Sequence, residues 1–128
     1  MAVVGLSRDP AKPSHAVAKY LQSVGYRIIP VNPFCDQILG EKCYKSLLDV
    51  PETIEVVDIF RSSEDAPAIV DEAIALRNRL GTPKVIWMQL GIVNEEAARR
   101  TEEAGFTVVM DRCMQMEHKS LAMESETS

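Results

Sequence analysis

Five short runs rich in Val and Ile, separated by helical patterns that each stop at a glycine, constrain this chain more than any other feature. The runs are Ala2–Val4, Arg27–Val31, Glu55–Phe60, Lys84–Met88 and Thr107–Met110. Short continuous apolar runs suit strands buried on both faces, as in a parallel sheet. Ala16-Val17, Tyr20-Leu21 and Val24 recur at helical spacing between the first two. Ile69-Val70, Ala73-Ile74 and Arg77 do so within 66–80, and Ala97-Ala98, Thr101 and Ala104 within 95–104. Gly25, Gly81 and Gly105 then stand where a C-terminal helix cap is wanted. Strand–helix alternation at this spacing predicts βαβ units and a doubly wound α/β fold, with about five parallel strands and helices on both faces. The stretch from Phe34 to Pro51 is less regular, with room for a small extra strand in 38–44 and a helical turn over Ser46–Leu48. We expect one domain over residues 1–121 and a frayed polar tail over 122–128. The first strand starts at residue 2, so a central element has no lead-in.

Composition narrows the class. The 128 residues are 46% hydrophobic and 26% charged, the balance of an ordinary soluble domain rather than a disordered tail or a disulfide-dense mini-protein. A formal charge of −5 opposes a nucleic-acid partner, since duplex binding is mostly phosphate neutralisation by Lys and Arg. No apolar run approaches the ~18–20 residues of a membrane span. Cys35, Cys43 and Cys113 are odd in number and form no C-x-x-C. They read as reduced thiols, and with no charged-then-apolar leader the expected location is cytoplasmic. Two histidines far apart, without Cys or carboxylate at ligand spacing, predict no metal centre.

In an open parallel sheet, ligands bind outside the carboxyl ends of the strands. The residues there are Gly5-Leu6-Ser7-Arg8, Val31-Asn32-Pro33, Phe60-Arg61-Ser62-Ser63, Gln89-Leu90-Gly91 and Asp111-Arg112-Cys113. Arg8, Lys12, Arg61 and Arg112 gather on this rim of an acidic chain, which suggests an anion site. The first loop is neither G-x-G-x-x-G nor a Walker loop, since only Gly5 is present and Gly-Lys-Ser/Thr is absent. It offers a glycine that lets backbone approach, the Ser7 hydroxyl, and Ser14 as the expected N-cap of the next helix, whose start favours anions. The second strand ends in Val31-Asn32-Pro33-Phe34, with no carboxylate for a ribose hydroxyl, which argues against NAD. Arg61 is placed to give a charge to an extra phosphate.

These residues carry a family resemblance. Val4-Gly5-Leu6-Ser7, Lys12-Pro13-Ser14, Val31-Asn32-Pro33, Asp58-Ile59-Phe60-Arg61, Trp87-Met88-Gln89-Leu90-Gly91 and Asp111-Arg112-Cys113 through His118 resemble the small stand-alone CoA-binding proteins. Those are similar to the N-terminal CoA-binding domain of the succinyl-CoA synthetase alpha subunit. The resemblance covers residues 2–121 and implies a Rossmann-like domain that binds coenzyme A or an acyl-CoA. By position, Ser7 and Ser14 would meet the pyrophosphate, with Gly5 and Lys12 in the same loop. Asn32 and Pro33 would border adenine and ribose, Phe60, Arg61 and Ser62 would line the nucleotide's far side, and Gln89 through Gly91 would flank the pantetheine arm. Two departures stand out: no helical segment precedes the first strand, and the length leaves no room for the synthetase's phosphohistidine domain. CoA binding carries over; ligase chemistry does not.

No catalytic set is expected. Cys113 follows Asp111-Arg112 near a final helix, a setting that favours thiolate. Yet Cys113 and His118 are ~140° apart on an ideal helix and share no face. Cys113 reads first as a structural cysteine; beside bound CoA it would be open to a mixed disulfide with the ligand thiol. His15 reads as a surface residue by the first loop, Asp58 as a buried carboxylate that orients neighbouring loops, and Trp87, Met88, Met110, Met114 and Met116 as core or pocket wall. The rival readings are a small NAD(P)-linked oxidoreductase and a ligand-sensing regulatory domain that docks to another protein. A protein partner or homodimer fits the sequence, which names no residue for either.

Overall fold

A computed structural model describes residues 1–121 with their side chains and the helical backbone on to Thr127. Strand β1 (Ala2–Val4) leads into helix α1 (Pro13–Ser23), then β2 (Ile29–Val31). A two-stranded hairpin follows, β3 (Gln37–Ile38) and β4 (Glu41–Lys42), and then a 3-10 turn over Leu47–Asp49. The second half alternates β5 (Val56–Ile59), α2 (Ala66–Leu80), β6 (Val85–Met88), α3 (Glu95–Glu103), β7 (Thr107–Val109) and α4 (Met114–Thr127). The fraying expected of 122–128 falls outside the fully described residues.

β2, β1, β5, β6 and β7 form one parallel sheet in that order. This is the doubly wound α/β, Rossmann-like arrangement that the alternation predicts. Each face has its own core. Val57, Ile59, Ile86 and Met88 pack with α2 and α3 through Ile69, Ala73, Leu76 and Ala97. Val3 and Leu6 pack with α1 and α4 through Val17, Leu21 and Met114. A fully buried Leu or Ile side chain stabilises by about 1.5–3 kcal/mol, so the two-sided burial of the central strands fixes the sheet before any loop is considered.

Local chemistry explains the boundaries. α2 ends at Gly81, which takes the left-handed conformation (φ 82°) while its N–H closes on the Arg77 carbonyl. Pro30 is tolerated inside β2 because this is an edge strand: its carbonyl points outward and accepts from Tyr44 N–H at 3.0 Å, so the missing donor falls on the edge side. One expectation is corrected. Lys12, not Ser14, is the N-cap of α1, because Pro13 occupies the first helical position, where its missing N–H costs nothing.

Candidate functional site

After β1 the chain turns to β2 on one side of the sheet and comes back through β5 on the other. The strand order therefore reverses between β1 and β5, and a ligand crevice belongs outside their carboxyl ends. A cleft lies there in two adjoining lobes that share Gly5, Ser7 and Arg61.

The first loop forms the divide. Ser14 is buried although it lies on the first turn of α1, and its Oγ accepts the Ser7 N–H at 3.0 Å. His15 Nδ1 lies 2.8 Å from the Ser7 carbonyl, so the loop is closed onto the helix start from both sides of one residue. Ser7 Oγ in turn accepts the Asp9 N–H at 3.1 Å. Gly5 has φ 87°, and a Cβ there would stand 2.9 Å from Arg61 Cδ. The glycine is thus needed twice, for its backbone conformation and for the arginine that crosses it. Arg61 pairs with Asp65 at 3.2 Å, one turn further into the chain.

The first lobe, about 370 Å3, lies over the β2 side. Val4 and Val31 floor it, and Asn32, Pro33 and Phe34 form one wall. Asn32 shapes that wall: Nδ2 donates to the Leu6 carbonyl at 2.9 Å and Oδ1 accepts the Phe34 N–H at 2.8 Å. Phe34 is left 84% exposed at the rim. Lys45 and Ser46 come from the segment after the hairpin, and Asp65, Ile69 and Glu72 from α2 and its approach.

The second lobe, about 590 Å3, lies on the α1 side. Lys12, Pro13 and Ser14 bound it on one side, Phe60 and Ser62 beyond β5, and Leu90, Gly91 and Ile92 beyond β6. Cys113 and Met116 close it from the start of α4. Gly91 N–H donates to Asp111 Oδ1 at 2.6 Å, and Val93 N–H to Ser63 Oγ at 2.9 Å, so the loop after β6 is tied to both neighbours.

Gly5, Ser7, Lys12, Ser14, Asn32, Pro33, Phe60, Arg61, Ser62 and Gly91 thus converge on one cleft. Gln89 does not line it. It is buried beneath the wall, where Nε2 donates to Asp58 Oδ1 at 2.7 Å and Oε1 accepts the Met114 N–H at 3.4 Å. Asp58 is likewise fully buried; burial pushes its carboxyl up to about 7, against the downward pull of the Gln89 hydrogen bond. Arg8 and Arg112 line neither lobe, and Arg112 pairs with Glu117 at 3.3 Å. Met116 is exposed on the lobe wall rather than in the core. His118 Nδ1 lies 2.8 Å from the Tyr20 hydroxyl, which ties it to α1. Sequence reasoning passed over Lys45, Ser46 and Glu72.

Comparison with known proteins finds relatives along most of the chain. The family described as CoA binding domain matches residues 1–119. An uncharacterized protein of Bacillus subtilis, YneT, is 43% identical over 118 residues, which covers 92% of this chain and 84% of that one. A solved structure of a hypothetical protein from Pyrococcus horikoshii superposes with a TM-score of 0.88 at 41% identity, covering 94% of this chain and 82% of the other. An ADP-forming acetate–CoA ligase of Methanocaldococcus jannaschii is 36% identical over 72 residues, 56% of this chain but only 10% of the ligase. No helix among the described residues is long and apolar enough to cross a membrane.

Proposed function

This chain belongs to the CoA binding domain family, and from that premise we propose that it binds coenzyme A or an acyl-CoA across the two-lobed cleft, as a module without chemistry of its own. The observation that carries the proposal is the shared boundary of the lobes: one arginine and one tight glycine-bearing loop between two cavities of different character. CoA has the matching layout, a nucleotide and a pantetheine arm joined by a pyrophosphate.

The Ser7–Ser14 loop and Arg61 take the pyrophosphate. The loop brings backbone close, the start of α1 contributes the positive end of its dipole, and Arg61 supplies the charge. The first lobe takes the nucleoside, with Asn32 and Pro33 beside it. The second lobe takes the pantetheine, for which Phe60, Leu90, Ile92 and Met116 offer apolar surface. Gln89 acts from beneath, joining Asp58 of β5 to the first turn of α4. A binding module is favoured over an enzyme because the one cysteine on the cleft wall has its nearest sequence histidine hydrogen-bonded elsewhere.

Native mass spectrometry of the purified protein, followed by calorimetric titration with CoA, acetyl-CoA and NADH, tests the reading. Binding of CoA with NADH silent is the expected result. Binding of NADH alone, or silence from all three, overturns it.

A further inference from the structure

Within the first lobe, both carboxylates already have partners, one an arginine and the other a hydroxyl. Asp65 is held by Arg61 at 3.2 Å and by the Ser62 hydroxyl at 3.1 Å. Glu72 accepts from the Ser46 hydroxyl. Lys45 is different: it lines the lobe and is exposed, and among the described residues no carboxylate lies within ion-pair distance of it and no acceptor takes its hydrogen bonds.

Its position is fixed by backbone. Tyr44 runs beside β2 in a parallel bridge to Val31, donating its N–H to the Pro30 carbonyl at 3.0 Å and accepting the Asn32 N–H at 2.9 Å. The next residue, Lys45, is thereby delivered to the carboxyl end of β2, alongside Asn32. On its other side Ser46 caps the 3-10 turn by accepting the Leu48 N–H at 3.2 Å, so the lysine is anchored at both neighbours. An unpaired ammonium facing a nucleoside-sized cavity, away from the Gly5–Arg61 divide, favours a second phosphate.

We propose that Lys45 is the specificity residue for the 3′-phosphate of the CoA ribose, with Arg61 confined to the pyrophosphate. This rests on the CoA reading above. The nucleotide of CoA differs from ADP by that one phosphate, and it projects from the ribose inside the lobe that holds Lys45. The protein thereby selects 3′-phosphorylated adenine nucleotides over ADP-like ones.

The test is calorimetric titration of the full chain and its Lys45→Ala and Arg61→Ala variants with CoA and dephospho-CoA at low salt. Thermal melts of each variant, alone and with saturating CoA, accompany the titrations. Wild type is expected to favour CoA. Lys45→Ala should lose about tenfold in CoA affinity with dephospho-CoA unchanged, while Arg61→Ala weakens both together. Lys45→Arg should keep the preference. Lys45→Ala that weakens both ligands equally, or leaves the CoA preference intact, overturns the Lys45 assignment while leaving CoA binding in place. A wild type that binds CoA and dephospho-CoA equally does the same. A wild type that binds neither overturns the CoA reading itself.

Discussion

Arg61 lies across Gly5 so closely that a Cβ on the glycine would stand 2.9 Å from the arginine Cδ and 3.3 Å from the Phe60 carbonyl carbon. The contact joins the ends of β1 and β5 at the point where the strand order reverses, and Gly5 and Arg61 both line the two lobes. Loop conformation and the placement of the arginine therefore depend on the same glycine.

Gly5→Ala should lower stability and ligand affinity together. The φ of 87° costs an alanine about 1–2 kcal/mol, and the flexible arginine, rather than the Phe60 backbone, would give way. We expect a lower urea midpoint with an unchanged slope, and CoA affinity reduced to about that of Arg61→Ala. A Gly5→Ala protein of wild-type stability and wild-type affinity would show that neither the backbone conformation nor the packing against Arg61 matters.

The sheet and helices were legible because their signals are local: β-branched runs of three to six residues, helical spacing, and a stop glycine. The edge that carries the cleft followed from the fold rule, and most of the residues that line the cleft with it. Lys45 and Ser46 were not legible. They reach the cleft because Tyr44 joins the edge of β2, a non-local pairing that leaves no periodicity in 34–51. Ser14 was misread as a cap because its hydroxyl bonds to Ser7, seven residues back, and not to its own helix. Gln89 could have been placed by parity: Ile86 and Met88 face one core, so Trp87 and Gln89 face the other, on the side of Asp58.

The three cysteines should separate cleanly under alkylation. Burial, followed by Cys35 and Asp36 nearby, pushes the Cys43 thiol up to about 11, which leaves roughly one thiolate in a thousand at pH 8. Cys35 and Cys113 are half-buried, and only Cys113 lines the cleft. Iodoacetamide labelling followed by peptide mass spectrometry should find Cys43 the slowest, and saturating CoA should protect Cys113 without protecting Cys35. Protection of Cys35 in its place would move the pantetheine arm out of the second lobe.

Asp58 gives the protein a pH dependence whose sign is fixed. Burial pushes its carboxyl up to about 7 in the folded protein from an ordinary value of 3.8, and Oδ2 has no hydrogen-bond partner among the described residues. From about pH 4 to 7 the folded state therefore holds a proton that the unfolded state has released. The stability linked to that proton is fully present below about pH 4 and is lost as pH rises through 7, a loss on the order of a few kcal/mol at most. Asp58→Asn keeps an acceptor for Gln89 and carries no charge at any pH. Urea unfolding of both proteins should show the variant gaining on wild type as pH goes from 5 to 8, and more stable than wild type at the upper end. A stability difference that stays constant across that range would mean that Asp58 is already ionised in the folded sheet, and that the proton assigned to it is not there.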